Sequence, residues 1–406
     1  MDKGNLREEV RNKKRREGDL EMADQMFSGA FGSFLNKVKP YLAMVSLQFG
    51  YAGMYIVTMM CFKRGMSHWI LVVYRHAFAT VAVAPFAIVL ERKIRPKMTL
   101  RVFIKILALG FLEPVIDQNL YYVGLKSTTA TYASAFVNLL PAVTFILAVI
   151  FRIEKVNLKK KSSMAKVIGT AITVVGAMVM TLYKGPMFNL VPHSRGGSHP
   201  AAAAATPENW VAGTIELISC IVGWSGFFIV QSMTLKEYPA ELSLAAWVCV
   251  MGIVEGGIVA LIMERDWNAW KIGFDARLLA AAYSGIVCSG IAYYVQSIVN
   301  KVKGPVFVTA FSPLSMVITS VLAAIILAES VHLGSCIGAI IIVMGLYSVV
   351  WGKSKEGKGN ETGKDQELPV VDIKERSTIV DDISDDVTTV KSKVPAEKKA
   401  SILQEL

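Results

Sequence analysis

Ten long apolar runs constrain this chain more than any other feature, because each is close to the roughly 17–25 residues that an α-helix needs to cross a bilayer. In the first half they are Tyr41 to Phe62, Trp69 to Leu90, Val102 to Val123, Thr131 to Phe151 and Val167 to Tyr183. In the second half they are Trp210 to Met233, Leu242 to Met263, Leu278 to Val299, Val306 to Leu327 and Ser335 to Trp351. Outer-membrane strands are shorter and alternate in polarity, so runs of this kind read as helices. With 53% hydrophobic and 18% charged residues, the chain lacks the polar surface of a water-soluble globule. The expectation is an all-α membrane protein with ten transmembrane helices.

The formal net charge of +11 does not point to nucleic acid. A nucleic-acid binder carries its basic residues on a folded face, whereas here they flank apolar segments. Five Lys/Arg lie between Arg92 and Arg101 and six between Arg152 and Lys166, against Lys63, Arg64 and Lys126 on the opposite-side connectors. The positive-inside rule then puts the N-terminus in the cytoplasm, and an even number of spans returns the C-terminus to the same side. The polar start through Lys39 has basic residues but no adjoining apolar core, so the first span is expected to act as a signal anchor. The five cysteines fall in or beside spans without the spacing of a zinc or redox motif, and His193 and His199 have no third ligand nearby. No phosphate-cradling glycine loop or nucleophile elbow is present, so no cofactor, metal or catalytic residue is expected.

The two halves repeat. Gly50, Gly53, Tyr55, Ile56 and Val57 match Gly223, Gly226, Phe228, Ile229 and Val230 at one constant offset. Tyr121-Tyr122-Val123 answers Tyr293-Tyr294-Val295, and Ala135-Phe136, Leu139 and Glu154 answer Ala310-Phe311, Leu314 and Glu329. Gly169 and Gly176 answer Gly338 and Gly345. Each half has an odd number of spans, so the second is expected upside down relative to the first, an arrangement that recurs in secondary transporters. The domains expected are a polar, basic N-terminal segment (1–39), a first five-helix repeat (40–183), a linker (184–209), a second repeat (210–352) and a disordered cytoplasmic tail (353–406).

The strings LQFGYAGM (Leu47 to Met54), VVYRHAFA (Val72 to Ala79), EPVIDQNLYYVGL (Glu113 to Leu125), PAVTFILAVIFRIE (Pro141 to Glu154) and MTLYKGP (Met180 to Pro186) carry a family resemblance. The chain resembles, over about residues 40 to 352, the plant nodulin-21-like, Walls-Are-Thin-related proteins of the drug/metabolite transporter superfamily. The resemblance implies two inverted five-helix EamA-type repeats and passive or proton-linked movement of amino acids, with auxin or other organic acids and secondary metabolites as the alternative cargo. The topology is consistent with either the plasma membrane or the tonoplast, and no targeting code separates them. The competing classes are a membrane-embedded enzyme, for which no catalytic motif is present, and a non-transporting receptor, which does not account for an inverted duplication.

Polar groups within a bilayer are costly unless paired or facing water, which makes each a candidate. The densest set is in the third span, where Glu113 and Asp117 share a helical face and Gln118, Asn119, Tyr121 and Tyr122 follow. Pro114 removes a backbone donor there and can break the helix. Two readings of the acids stay open: a proton or substrate-ammonium site, or ion pairs with Arg75, His76 or Lys105 that hold the bundle together. Gln48, Gln118, Asn119, Tyr122 and Asn138 are the expected solute-binding residues; Gln231 and Gln296 either line the cavity or bond between helices. Glu154 and Glu329 close the fourth helix of each half and read as latches, while Glu216 and Glu255 have no matched counterpart.

The topology has a direct check. Protease applied to sealed, right-side-out vesicles should spare an epitope placed after Trp351; cleavage there would refute the even span count.

Overall fold

The computed structural model describes residues 38–58, 61, 65–128, 130–154, 156–157, 159–183, 185–188, 210–326 and 331–360. Among them are ten helices, counting interrupted ones once. The first half has α1 (38–58), α2 (His68–Leu90), α3 (Leu100–Gly110, then a π-helical Phe111–Asp117, then Gln118–Ser127), α4 (Ala130–Val137 and Leu140–Ile150) and α5 (Lys161–Leu182). The second has α6 (Trp210–Glu237), α7 (Glu241–Met263), α8 (Ala276–Tyr283, a π-helical Ser284–Ile291, and Ala292–Lys303), α9 (Pro305–Ala310 and Ser312–Ile326) and α10 (Leu333–Asn360). Eight described helices are long and apolar enough to cross a membrane. The remaining two are α1 and α3, the latter carrying Arg101, Lys105, Glu113 and Asp117.

Helices are what a bilayer permits, since only they satisfy backbone N–H and C=O groups within one segment. Local chemistry sets their ends. The Thr99 hydroxyl accepts from Val102 N at 3.3 Å to start α3, and the Asp275 carboxylate accepts from Arg277 N at 2.9 Å to start α8. Gly304, at φ +85°, turns the chain between α8 and α9, and Pro305 sits in the first turn of α9, where its missing N–H is no loss. Two short strands, β1 (Met187–Phe188) and β2 (Val331–His332), pair antiparallel. β1 lies in the segment expected to be a flexible linker, and α10 continues past Trp351 into the segment expected to be tail. Residues 189–209, Glu329, the N-terminal segment 1–37 and the tail 361–406 lie outside the described residues.

The repeat appears in the backbone. The third helix of each half carries a π-helical segment at matching positions, and the fourth of each half is interrupted ahead of a proline, at Asn138–Leu139 and at Phe311. Equivalent helices run antiparallel across the molecule. Along α2 and α7, Val72 lies by Gly256, His76 by Gly252 and Glu91 by Leu242. Along α5 and α10, Gly169 meets Gly345, and Gly176 meets Gly338 and Ile342. The second half is therefore the first turned over. Contacts are also exchanged between halves: Gly50 and Gly53 of α1 face Val287 and Tyr283 of α8, while Gly223 and Gly226 of α6 face Ile116 and Leu112 of α3.

Lipid is as apolar as leucine, so helix association relies on close van der Waals packing at small residues. A β-carbon on Gly345 would stand 2.3 Å from Thr173 Oγ1 and 2.5 Å from Thr173 N, and one on Gly338 2.6 Å from the Gly176 carbonyl. Large apolar side chains such as Val81, Leu100, Val211 and Tyr347 remain exposed, as a lipid-facing surface requires. Gly345→Ala should destabilise the bundle by about 1–3 kcal/mol through forced overpacking against backbone. Gly257→Ala, with nothing within 4 Å of its added carbon, should be close to neutral. Thermal unfolding in detergent measures both.

Candidate functional site

The π-helical segment of α3 creates the site. Pro114 lacks an N–H, so the α-helical ladder cannot run through it, and the wider turn absorbs the gap. The Gln118 N–H bonds back to the Glu113 carbonyl, five residues earlier, and the Asn119 side chain donates to the Pro114 carbonyl at 3.0 Å. The result turns Glu113, Asp117 and Gln118 into the bundle, where they line one cavity. Its volume is about 90 Å³. At roughly 10–15 Å³ per water, that is room for several.

Both halves build the wall. α1 supplies Gln48, Tyr51 and Tyr55, α2 supplies Arg75, and α3 adds Tyr121 and Tyr122. From the second half come Trp224, Phe227 and Phe228 of α6, Tyr293 and Gln296 of α8, and Ser312 and Ser315 of α9. One part of the lining is charged and amide-rich, another aromatic, with opposite charges side by side in a mostly apolar chamber.

The charged groups form a connected cluster. Arg75, 8% exposed, donates from Nε to Ser289 Oγ at 2.6 Å and from Nη2 to the Cys288 carbonyl at 3.4 Å; its Nη2 stands 4.0 Å from Glu113 Oε1. Glu113, 4% exposed, also accepts from Gln118 Nε2 at 2.8 Å, and its Oε2 lies 3.6 Å from His76 Nε2. His76 Nδ1 donates to the Val72 carbonyl at 2.7 Å, which leaves Nε2 to face both Glu113 and, at 3.3 Å, the Tyr293 hydroxyl. The ring is pressed against Gly252, where a β-carbon would come within 2.5 Å of it. Asp117 is placed differently. It accepts from the Cys220 thiol of α6 at 3.0 Å and makes no ion pair among the described residues.

The polar residues singled out in the sequence thus divide. Gln48, Gln118, Tyr122, Glu113, Asp117 and Arg75 line the cavity. Asn119 does not, because its amide is committed to the Pro114 carbonyl, and Asn138 does not, because its amide donates to Thr181 Oγ1 at 3.2 Å and Met316 Sδ at 3.0 Å across the break in α4. Lys105 serves neither acid; it pairs with Glu237 at 2.8 Å. Gln231 bonds Ser297 and Asn300 away from the cavity, whereas Gln296 reaches it and donates to Tyr51 OH at 2.8 Å. Tyr51, Trp224, Phe227, Ser312 and Ser315 also line the cavity, and nothing in the sequence separates them from ordinary packing residues. For Tyr293 there was a signal, since Tyr293-Tyr294 answers Tyr121-Tyr122 in the repeat.

Glu154 anchors the far end of the first half. It accepts from Lys166 of α5 at 2.5 Å and from Lys353 of α10 at 2.6 Å, tying the end of α4 to both halves.

Comparison with known proteins agrees with this architecture. The pattern of the EamA-like transporter family matches residues 38–182 and 212–351, one copy in each half. The WAT1-related protein At4g08300 of Arabidopsis thaliana is 60% identical over 366 residues, covering 88% of this chain and 98% of the relative. The WAT1-related protein At1g44800 of the same plant is 59% identical over 347 residues, covering 84% and 94%. A crystal structure of a protein with 16% sequence identity shares the fold at a TM-score of 0.59, covering 77% of this chain and 98% of its own. The chain is a multi-pass membrane protein that belongs to the EamA-like transporter family, among its WAT1-related members.

Proposed function

We propose that this transporter carries small organic solutes, amino acids foremost, through the cavity between its halves, and that the halves exchange shapes to open it to alternate sides. The observation that carries the reading is the presence of one cation, Arg75, and two acids, Glu113 and Asp117, on a lining otherwise made of amides, hydroxyls and aromatic and apolar side chains. A zwitterion needs a cation for its carboxylate and an anion for its ammonium, and an apolar side chain needs a ring to rest on. Asp117 suits the ammonium or a coupled proton, since Glu113 already shares Arg75, His76 and Gln118. Gln48, Gln118 and Tyr122 supply orienting hydrogen bonds. A second reading, an aromatic organic acid such as auxin, draws on the aromatic wall and Arg75 and needs no anion at Asp117. Both termini on the cytoplasmic side, in the plasma membrane or tonoplast, complete the proposal.

Reconstitution into liposomes with labelled amino acids and indole acetate, with and without a pH gradient, tests it. Uptake of neither class would sink the proposal. On the amino-acid reading, Asp117→Asn should reach the membrane folded yet lose tenfold or more in amino-acid transport or its pH dependence, about the 1.4 kcal/mol or more of one charge-assisted hydrogen bond. Gln118→Ala should change affinity without changing pH dependence. Undiminished indole acetate transport in Asp117→Asn would favour the acid reading.

The Arg75 and Glu113 charges make a separate, structural prediction. Arg75→Gln or Glu113→Gln alone leaves a buried charge short of its partner and should destabilise by about 3–5 kcal/mol, while the double substitution should recover much of the loss. Thermal unfolding of the three variants decides it; additive losses would mean that the two groups act independently.

A further inference from the structure

The two ends of the bundle are held differently. At the end where α2 finishes and α7 begins, the halves are joined by charge: Lys105 of α3 meets Glu237 of α6, and Lys353 of α10 meets Glu154. A third tie is a carboxylate cap. Glu91, which follows the last residue of α2, accepts from Leu242 N at 2.9 Å and from Ser243 N at 2.6 Å, the first-turn amides of α7. Those amides carry the positive end of the helix dipole and have no partner within their own helix. Ala240, the residue before α7, has no side chain to cap them, so the cap is borrowed from the other half.

Inversion gives this cap a counterpart. α2 and α7 are the second helices of their halves, and their boundaries, His68–Leu90 and Glu241–Met263, superpose at the offset that matches Gly50 to Gly223. At that offset Leu90-Glu91-Arg92 falls on Met263-Glu264-Arg265. Glu264 follows the last residue of α7 as Glu91 follows that of α2. The amides equivalent to Leu242 and Ser243 are those of Trp69 and Ile70, at the start of α2. Because α2 and α7 are antiparallel, the end of α7 and the start of α2 belong to the same end of the bundle. Yet among the described residues Glu264 makes no side-chain hydrogen bond or ion pair, and Ser67, ahead of α2, makes no side-chain cap bond. One of two equivalent caps is made and the other is open.

We propose that Glu91 and Glu264 are alternating caps of the transport cycle. In the state described here Glu91 closes one end on the α7 N-terminus. In the opposite state Glu91 lets go and Glu264 takes the Trp69 and Ile70 amides of α2, closing the other end. The inference rests on the alternating-access reading of the protein and not on the identity of its solute. Exchange of one carboxylate–amide contact for its twin keeps the two states close in energy, which a reversible carrier needs.

Distances between spin labels test it on the full chain in lipid nanodiscs, in a Cys336→Ser background. Labels on Lys93→Cys and Pro239→Cys report the end held by Glu91; labels on Ser67→Cys and Arg265→Cys report the other. Glu91→Gln should lower the close population at the first pair and raise it at the second, and Glu264→Gln should do the reverse. Each shift should be roughly 2- to 30-fold, the range spanned by loss of one helix cap. Opposite shifts support the proposal. If Glu264→Gln leaves the second pair unchanged, or both substitutions shift the populations the same way, the proposal is overturned. The readout needs no solute: opposite shifts without amino-acid uptake would retire the cargo assignment alone, and uptake without opposite shifts would retire the caps alone.

Discussion

A bilayer offers no water to an unsatisfied backbone group, so any break in a helix must be resolved by the protein's own atoms. That constraint shapes the centre of this transporter. Pro114 interrupts the hydrogen-bond ladder midway along α3, and the response is a π-helical turn together with an asparagine that reaches back to a carbonyl. The same distortion carries Glu113, Asp117 and Gln118 into the interface between the halves. The local defect and the chemical site are one feature. The second half has a similar π-helical segment, at Ser284–Ile291, but uses it differently. It brings Ser289 and the Cys288 carbonyl to Arg75, so one half supplies the charges and the other supplies partners for them.

Duplication explains why the two halves fit. Each helix of one repeat meets its equivalent or a partner from the other, running the opposite way, and glycines at matched positions let the backbones approach. Packing of that kind depends on shape more than on chemistry, and it tolerates divergence of the side chains that face the cavity. The charged end shows the same economy. Glu91, Glu154 and Glu237 each tie one half to the other without entering the chamber, leaving its polar groups to meet a solute.

Asn119 and Asn138 show how far a polar inventory can be trusted. Both are buried amides in spans, as cavity residues would be, and both are spent on helix irregularities that their own neighbourhood creates. Gln296 looks no different in sequence, yet it lines the chamber beside Tyr51. The difference lies in the direction of a side chain around a helix axis, and the π-helical turns shift that direction by an amount that α-helical spacing does not contain.

The number of helices, their approximate ends, the duplication and the family resemblance were all present in the one-dimensional pattern, because bilayer thickness and backbone satisfaction act on residues in sequence order. The glycines matched between the halves, Gly169 and Gly176 with Gly338 and Gly345, are the positions at which α5 and α10 approach closely. Tertiary structure alone decided which polar residues meet. Arg75 reaches Ser289 across the two halves, His76 stands between Glu113 and Tyr293, and Glu91 caps a helix that begins far along the chain. Such pairings follow from how antiparallel helices cross and rotate against one another, which depends on three-dimensional packing and leaves no periodic trace in the order of residues.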